Sequence, residues 1–487
     1  MRHLLALLPI AALMVAPAAC RKQPEGTVKV VVIGAEPRLR DPADGPIRAS
    51  DEILLQNVAQ GLVAFDASGD IVPALAERWN VSDDGLSYIF RIASMSWPDG
   101  GKVTAQQVAR LLKRELAARS KNNLKDALGA VGDVVAMTDR VVEIQLIAPR
   151  PNLLPLLAQP QLAIIRGKLG TGPFTYSANG KDGLRLTRAI VGGDDEEDVT
   201  HEEVLLAGAR AEPAIRGFLA GNSDMVLGGS FADLPFAQRA RPARGSLRFD
   251  PASGLFGLVP LRRGGPLDDR DVRRVLSEAI DRDRLVAALA VPNLAARATL
   301  LEAGLDGVPP PVPPTWVVSP LAQRLPALQA EIDRAFGKAD KPPIRIALPD
   351  GPGADLLLRE LTLDWGALGF QVERAPSPGA ADFALIDEVA PSSSPAWFIR
   401  RFRCGVTPLC DGETDKLLEA ARAAPVPAQR YALLAEAAGR IDAEQLFIPI
   451  TAPVRWSLVS KRIEGFAGNR YARHTLSELE QKSDRGD

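Results

Sequence analysis

Histidines and clustered carboxylates are the side chains of this chain that could bind a metal ion or act as catalytic acids and bases. The chain contains three histidines, and His201 is followed by Glu202 and Glu203 without the second histidine of an HExxH zinc helix. The acidic run at residues 194–198 lacks the alternating ligand positions and central glycine of a calcium loop. We interpret both segments as solvated charged surface and predict neither a metal ion nor a cofactor.

The nucleophile motifs of common hydrolases are also absent from the sequence. It contains no GxSxG elbow, no SxxK motif and no histidine pair at metal-ligating spacing. Two carboxylates that meet only in the folded protein remain an open alternative. The residue types favour binding over catalysis, and we expect a protein that is not an enzyme.

The cysteines indicate an exported protein. Apart from Cys20, the chain has only Cys404 and Cys410, which flank a short loop. In an oxidising compartment two such thiols can form a disulfide bond that closes the loop. We predict this disulfide, and the alternative is two buried free thiols.

The first twenty residues have the pattern of an export signal. A short positive start precedes an apolar run to Ala16, which is shorter than a membrane span. The small residues before Cys20 predict lipoprotein processing, with a lipid on Cys20 as the contact with the membrane. Cleavage after Ala18 is the alternative, because Pro17 stands where lipoprotein signals usually carry an aliphatic residue.

Length and charge narrow the class of protein further. A chain of 487 residues exceeds the size of a single hydrophobic core, so two or more domains are expected. The net charge is -2 and the basic residues are scattered. A nucleic-acid partner would require a concentrated basic face, so none is expected.

Residues 70–119 form the most strongly patterned stretch of the chain. Apolar residues at helical spacing over 71–79 predict a helical turn, and alternation over 86–92 predicts a strand. Thr104 and Gln107 predict a capping box that opens the next helix.

This stretch closely resembles the signature of the family 5 extracytoplasmic solute-binding proteins, the peptide, nickel and oligosaccharide receptors of ABC importers. The matching positions are Leu75, Ala76, Glu77, Trp79, Ser82, Asp83, Asp84, Gly85, Tyr88, Phe90, Asp99, Gly100, Thr104, Ala105 and Val108. The turn GTGPF at 170–174 and the helix pair RDVRRVLSEAIDRDRLV at 270–286 also resemble family motifs. The resemblance extends in order from about residue 27 to 468.

The resemblance implies an α/β, two-lobed periplasmic-binding-protein fold of type II, in the large three-subdomain form of the peptide receptors, with a hinge between the lobes. Residues 1–20 would be the signal peptide and residues 27–257 the first segment of lobe I. Residues 258–466 would form lobe II. Residues 467–487 would return to lobe I and end in a tail.

The resemblance also places the ligand near the strand and loop that begin at residue 381. Peptide-binding members hold the free amino group there with an aspartate, and Pro391 and Ser394 occupy the positions of those acidic residues. We expect Asp387 and Glu388 to bind ligand in their place. The alternative is that both are ordinary charges at the end of a strand.

Three further positions are expected at the ligand on the same grounds. Trp397 would stack on the ligand or, alternatively, pack in the core. Glu36 lies in a loop that resembles the loop after the family's opening strand, and Gly172 would let the backbone pass close to the cleft.

The implied function is that of a periplasmic substrate-binding component of an ABC importer. It would bind a small peptide or peptide-like solute as a monomer and deliver it to the permease subunits, anchored at the membrane as a lipoprotein. A ligand-poor adaptor or sensor with the same fold is the main alternative. Pro391 favours it, as does Val259, which stands where the family carries asparagine.

Overall fold

The computed structural model of the chain describes residues 26–180, 183–191, 199–262, 264–337 and 340–481. The expected export signal with Cys20 and the acidic run at 194–198 lie outside the described residues. Three sheets of four or more strands, with helices packed against them, organise the described part of the chain.

The largest sheet has seven strands around the first described strand. In spatial order they are Thr175–Ala178, Leu184–Val191, Val199–Ala209, Val28–Ile33, Met225–Ser230, Arg455–Val459 and Leu247–Phe249. Val28–Ile33 runs parallel to both of its neighbours, and Val28, Val30 and Val32 are buried. A central position suits this strand because β-branched residues pack well on a buried, pleated surface.

The second sheet has four antiparallel strands. Its strands, in spatial order, are Ala76–Val81, Ser87–Ile92, Val141–Leu146 and Val131–Thr138. The strand expected over 86–92 is confirmed, with Tyr88, Phe90 and Ile92 buried on one face.

The helical turn expected over 71–79 is wrong. The chain forms strand Ile71–Pro73, which pairs with Val63–Phe65, and then strand Ala76–Val81. Pro73 lacks a backbone N–H and disfavours helix in the residue before it. The pairing of Trp79 opposite Phe90 then sets the strand register, so tertiary pairing overrides the local apolar spacing.

The helix that follows this sheet starts as the sequence predicts. Ala105–Leu116 begins with a capping box in which the Gln107 amide donates to Thr104 Oγ1 and the Thr104 amide donates to Gln107 Oε1, both at 3.3 Å. Trp97 Nε1 also donates to Gln107 Oε1 at 3.0 Å. The cap therefore joins the helix to the loop before it.

The third sheet has five strands. In spatial order they are Val372–Arg374, Ile344–Ala347, Phe383–Val389, Gly254–Pro260 and Ile448–Thr451. Ile344–Ala347, helix Pro352–Gly366 and Val372–Arg374 form a strand-helix-strand unit, with parallel neighbouring strands. We call the part built on the seven-stranded and four-stranded sheets lobe I, and the part built on the five-stranded sheet lobe II.

Two short connections join the lobes and form the hinge. The chain passes to lobe II between Phe249 and Gly254 and returns between Thr451 and Arg455. The Asp250 amide donates to the Arg455 carbonyl at 3.0 Å, so the two connections lie side by side. Both passages precede the boundaries expected from the sequence, after residues 257 and 466.

The remaining helices pack on the sheets or between them. Their bounds are Ala49–Val58, Leu153–Leu157, Ala211–Leu219, Leu234–Ala240, Arg270–Glu278, Arg282–Leu289, Leu321–Phe336, Pro395–Arg400, Gly412–Ala423 and Pro427–Ala443. Two-residue antiparallel strands pair Ile165–Arg166 with Leu169–Gly170 and Ile463–Glu464 with Glu480–Gln481. In the part of the chain that is described, no helix has both the length and the apolar character of a membrane span.

Candidate ligand cleft between the lobes

A cavity of about 490 Å³ lies between the lobes beside the hinge. Its lobe I wall includes Glu52, Gln159, Arg455, Arg473 and His474, and its lobe II wall includes Glu388, Pro391, Trp397 and Arg401. Asp250 lines it from the hinge. A concave site with charged and aromatic groups from two lobes is the usual form of a small-ligand site.

Glu388 and Trp397 are the two expected site residues that line this cavity. The Glu388 carboxylate accepts a hydrogen bond from the Arg401 guanidinium, and both side chains are more than a third exposed. Trp397 packs edge to face on Phe398, with ring centroids 5.0 Å apart. The helix Pro395–Arg400 thus presents an aromatic surface beside a charged pair.

Asp387 precedes Glu388 in the same strand but does not line the cavity. Arg455 Nη1 donates to its two carboxylate oxygens at 2.8 and 3.0 Å, and Arg455 Nη2 donates to its carbonyl at 3.0 Å. Burial raises the pKa of Asp387, and Arg455 opposes this effect. The Asp387 carboxylate is therefore engaged with lobe I.

Glu36 lies outside the cavity, on an exposed loop of lobe I. Its carboxylate accepts a hydrogen bond from the Gly208 amide at 3.0 Å, and its carbonyl accepts one from Arg48 at 3.4 Å. The Gly208 contact holds the loop against the carboxyl end of strand Val199–Ala209.

Gly172 lines a neighbouring cavity of about 400 Å³ within lobe I. Its amide donates to the Val58 carbonyl at 3.1 Å, and a Cβ at this position would lie 2.5 Å from the Val58 carbonyl carbon and 2.6 Å from the Ala59 nitrogen. Glycine is required here because two backbone segments approach closely. Arg473 lines both cavities, which are therefore neighbours.

A network of charged and amide groups, not expected from the sequence, covers the lobe I wall. Arg473 pairs with Glu52 and donates from Nε to Gln159 Oε1 at 3.1 Å. Gln159, itself buried, donates from Nε2 to the Pro391 carbonyl at 2.8 Å. The network therefore crosses to lobe II at the loop that lacks the family's aspartates.

A buried pair lies behind this network. His474 Nε2 is 3.2 Å from Asp250 Oδ2, and both side chains are almost fully buried. Asp250 Oδ1 accepts from the Asn469 amide at 3.0 Å, which ties the returning segment to the hinge. No sequence motif marks these residues, which are 224 positions apart.

Further contacts close the lobes on each other at the far end of the cleft. Arg422 Nη2 donates to the Gly129 carbonyl at 3.1 Å, and Arg403 lies 3.4 Å from the Asp126 carboxylate. Arg400 also donates to the Asp126 carbonyl. The lobes are therefore in contact on both sides of the cavity.

The loop before helix Gly412–Ala423 contains the predicted cysteine pair. The Cα atoms of Cys404 and Cys410 are 5.1 Å apart, and their sulfurs lie at disulfide-bonding distance. Within the described residues, no group of three or more histidine, cysteine, aspartate or glutamate side chains is arranged to hold a metal ion.

Known proteins similar to this chain share its architecture over almost its whole length. The probable di/tripeptide-binding protein 5 of Pseudomonas aeruginosa is 24% identical, in an alignment that covers 89% of this chain and 91% of that protein. The structure of the Escherichia coli murein tripeptide binding protein MppA superposes with a TM-score of 0.80 at 18% identity, covering 94% of this chain and 99% of that one. The structure of MppA in an unliganded open form superposes with a TM-score of 0.69 at 18% identity, covering 95% of this chain and 99% of that one.

The sequence profile of the bacterial extracellular solute-binding proteins, family 5, matches residues 70–373, more than half of the chain. Members of this family are periplasmic solute-binding proteins and are not enzymes. The two lobes, the hinge and the cleft between them agree with the fold of the solved structures. The chain belongs to the bacterial extracellular solute-binding proteins, family 5.

Proposed function

We propose that this protein is the periplasmic substrate-binding component of an ABC importer and that it binds a small peptide or peptide-like solute between its lobes. The observation that carries this proposal is the cavity of about 490 Å³, which has polar walls from both lobes beside the hinge. The di/tripeptide-binding and tripeptide-binding names of similar proteins support a peptide as the solute.

Capture and release follow from the two hinge connections. Closing of the lobes surrounds the solute, and opening at the permease releases it. The lobe I network through Gln159 and the lobe II loop at Pro391 meet at 2.8 Å, so this contact breaks whenever the cleft opens. The permease subunits are the partners, and the protein acts as a monomer.

Glu388 and Trp397 are the residues we assign to the solute. A carboxylate accepts several hydrogen bonds, so Glu388 can accept from a peptide ammonium group while it still accepts from Arg401. Trp397 offers an aromatic face to a side chain of the solute. Asp387 acts at the hinge instead, because Arg455 occupies both of its carboxylate oxygens.

The lobe boundaries follow the strands in this proposal. Lobe I comprises residues 27–249 and 455–481, and lobe II comprises residues 254–451, which assigns each complete strand to a single sheet. Residues 1–20 act as a lipoprotein signal, and a lipid on Cys20 holds the protein at the membrane. The apolar run before Cys20 supports this anchor.

An adaptor or sensor that retains the fold is the second candidate. The observation that favours it is the loss of the acidic anchor, because Pro391 contributes only a carbonyl that Gln159 already contacts. Such a protein would use the closed lobes as a docking surface and would not carry a solute.

Native mass spectrometry of the protein without residues 1–20, purified from cell extract, tests these functions. A receptor is expected to retain a small molecule or short peptide that is released on denaturation. The Trp397→Ala variant is expected to retain less of it, and Trp316→Ala, outside the cleft, serves as the control. An empty protein with no thermal shift from a peptide library would contradict the receptor function, because a ligand that binds the native state raises its stability.

A further inference from the structure

A second cavity opens beside the ligand cleft, between the same two lobes. It has a volume of about 290 Å³ and shares Asn123, Trp397 and Arg401 with the cleft. Lobe I contributes residues from 123–127 and 150–156, and lobe II contributes residues from 392–406 and Arg430. We call this cavity the arginine pocket.

The arginine pocket has a large excess of positive charge. Its lining includes the guanidinium groups of Arg150, Arg400, Arg401, Arg403 and Arg430, and one carboxylate, that of Asp126. Arg401 is paired with Glu388, and Arg403 lies 3.4 Å from Asp126. Within the described residues, Arg150, Arg400 and Arg430 have no carboxylate within salt-bridge distance.

Arg430 is the most informative of these residues. Its side chain lines the pocket and is only 6% exposed, yet its guanidinium has no hydrogen-bond acceptor among the residues that the structure describes. Asp306 is the nearby carboxylate, and it accepts a hydrogen bond from Ser393 Oγ at 2.7 Å. A buried guanidinium with free donors binds carboxylate and phosphate groups strongly.

Arg150 faces Arg430 from lobe I. It is 7% exposed, and its guanidinium donates to the Pro149 carbonyl at 2.8 Å. Burial, together with repulsion from Arg430 and Arg400, lowers the pKa of Arg150 to about 10. Burial likewise lowers the pKa of Arg400 to about 10, with contributions from Arg403 and Arg430.

We propose that the arginine pocket binds an anionic group of the solute, a carboxylate or a phosphate, and that the receptor therefore selects acidic solutes. This inference rests on the proposed receptor function. Because Arg150 belongs to lobe I while Arg400 and Arg430 belong to lobe II, an anion between them contacts both lobes. It offsets the repulsion between like charges that otherwise opposes closure of the lobes.

Thermal unfolding with simple anions tests the pocket without knowledge of the solute. The protein without residues 1–20 is titrated with inorganic phosphate and with succinate, each against sodium chloride at equal ionic strength. Arg430→Gln and Arg150→Gln are compared with Arg216→Gln, a control on an exposed arginine of helix Ala211–Leu219. The larger response of the wild type, to phosphate or to succinate, identifies the class of anion.

Wild type and Arg216→Gln are expected to gain stability from phosphate or succinate beyond the effect of chloride. Arg430→Gln and Arg150→Gln are expected to bind the same anion about tenfold more weakly, since a charge-assisted hydrogen bond is lost. Without the anion, Arg430→Gln is expected to unfold at or above the wild-type temperature, because like-charge repulsion is reduced. Equal responses of the wild type to all salts, or unchanged anion affinity in both pocket variants, would overturn the proposal.

Native mass spectrometry separates this inference from the receptor function. A neutral solute recovered from the wild type would support the receptor and contradict the selection of acidic solutes. Anion binding by a protein that carries no solute and responds to no peptide would support the anion pocket and contradict the receptor. An acidic solute that Arg430→Gln retains about tenfold less would support both.

Discussion

Asp387 and Arg455 join the two lobes at the hinge, with Arg455 Nη1 at 2.8 and 3.0 Å from the two carboxylate oxygens of Asp387. Asp387 lies in strand Phe383–Val389, the central strand of the lobe II sheet. Arg455 is the first residue of strand Arg455–Val459, where the chain re-enters lobe I. The side chains are only 15% and 19% exposed. A charged pair at this position ties the orientation of the lobes to the stability of the fold.

Replacement of Asp387 should destabilise the protein. Asp387→Asn leaves the Arg455 guanidinium largely buried without its counter-charge, and we expect a loss of roughly 3 kcal/mol in the free energy of unfolding. Chemical denaturation with urea measures this change. A loss below about 0.5 kcal/mol would show that the pair is solvated and does not hold the hinge.

Glu388, the residue after Asp387, provides a matched control in which binding should change and stability should not. Glu388→Gln should change the free energy of unfolding by less than about 1 kcal/mol, because Glu388 and Arg401 are both more than a third exposed. We expect this variant to weaken binding of the solute recovered from the native protein. Calorimetric titration measures the affinity of that solute for Glu388→Gln, Asp387→Asn and wild type. Equal affinity in Glu388→Gln and wild type would exclude Glu388 from the binding site.

The stability of lobe II should depend on pH through Asp442. Burial raises the pKa of this carboxyl to about 7, and its oxygen accepts a hydrogen bond from the Leu300 amide at 2.8 Å. The folded state therefore binds a proton that the unfolded state has released, so stability falls as the pH rises from about 4 to about 7. Asp442→Asn should remove this fall and be more stable than wild type at pH 8, as measured by thermal unfolding across pH.

Asp411 should show the opposite dependence on pH. Arg440 Nε, at 2.7 Å, together with Thr414 holds the pKa of Asp411 well below its usual range. The lowered pKa stabilises the fold at neutral pH, and this contribution is lost as the pH falls below about 4. Asp411→Asn should cost about 1 kcal/mol at pH 7, with a difference from wild type that shrinks in acid. A constant difference at all pH values would contradict this assignment.

Gly172 should tolerate no larger side chain. In Gly172→Ala the new Cβ would lie 2.5 Å from the Val58 carbonyl carbon, which is backbone and unable to rotate away. We expect a loss of roughly 2 kcal/mol or more in the free energy of unfolding. Gly217→Ala is the control, because it lies in helix Ala211–Leu219 with no atom near the new Cβ and should gain about 0.5 to 1 kcal/mol.

Removal of the bond between Cys404 and Cys410 should destabilise the wall of the arginine pocket. The cysteines are six positions apart, and closure of a loop of this length contributes about 2 kcal/mol. The double variant Cys404→Ser, Cys410→Ser should unfold at a lower temperature than wild type and should not respond to reductant. The wild type should lose the same stability in reductant, and no effect of reductant on it would contradict the disulfide.

Local signals in the sequence predicted much of the fold. The capping box at Thr104 and Gln107 and the alternation over 86–92 are confirmed, because each depends on contacts between residues close in the chain. The helical turn over 71–79 was wrong because its backbone groups pair with strands on either side. The family resemblance identified the two-lobed architecture, which is confirmed by the fold of similar structures.

The sequence by itself determined the family of the protein and many of its α/β segments, and the ligand near Glu388 and Trp397 stays a prediction. Only the tertiary structure decided that Arg455 engages Asp387 and that Arg473, Gln159 and Pro391 form a continuous network across the cleft. It alone brought Arg150 and Arg430 to one pocket. The physical reason is that these side chains are far apart in the chain and interact only after the sheets have paired and the lobes have closed, so no local pattern encodes their proximity.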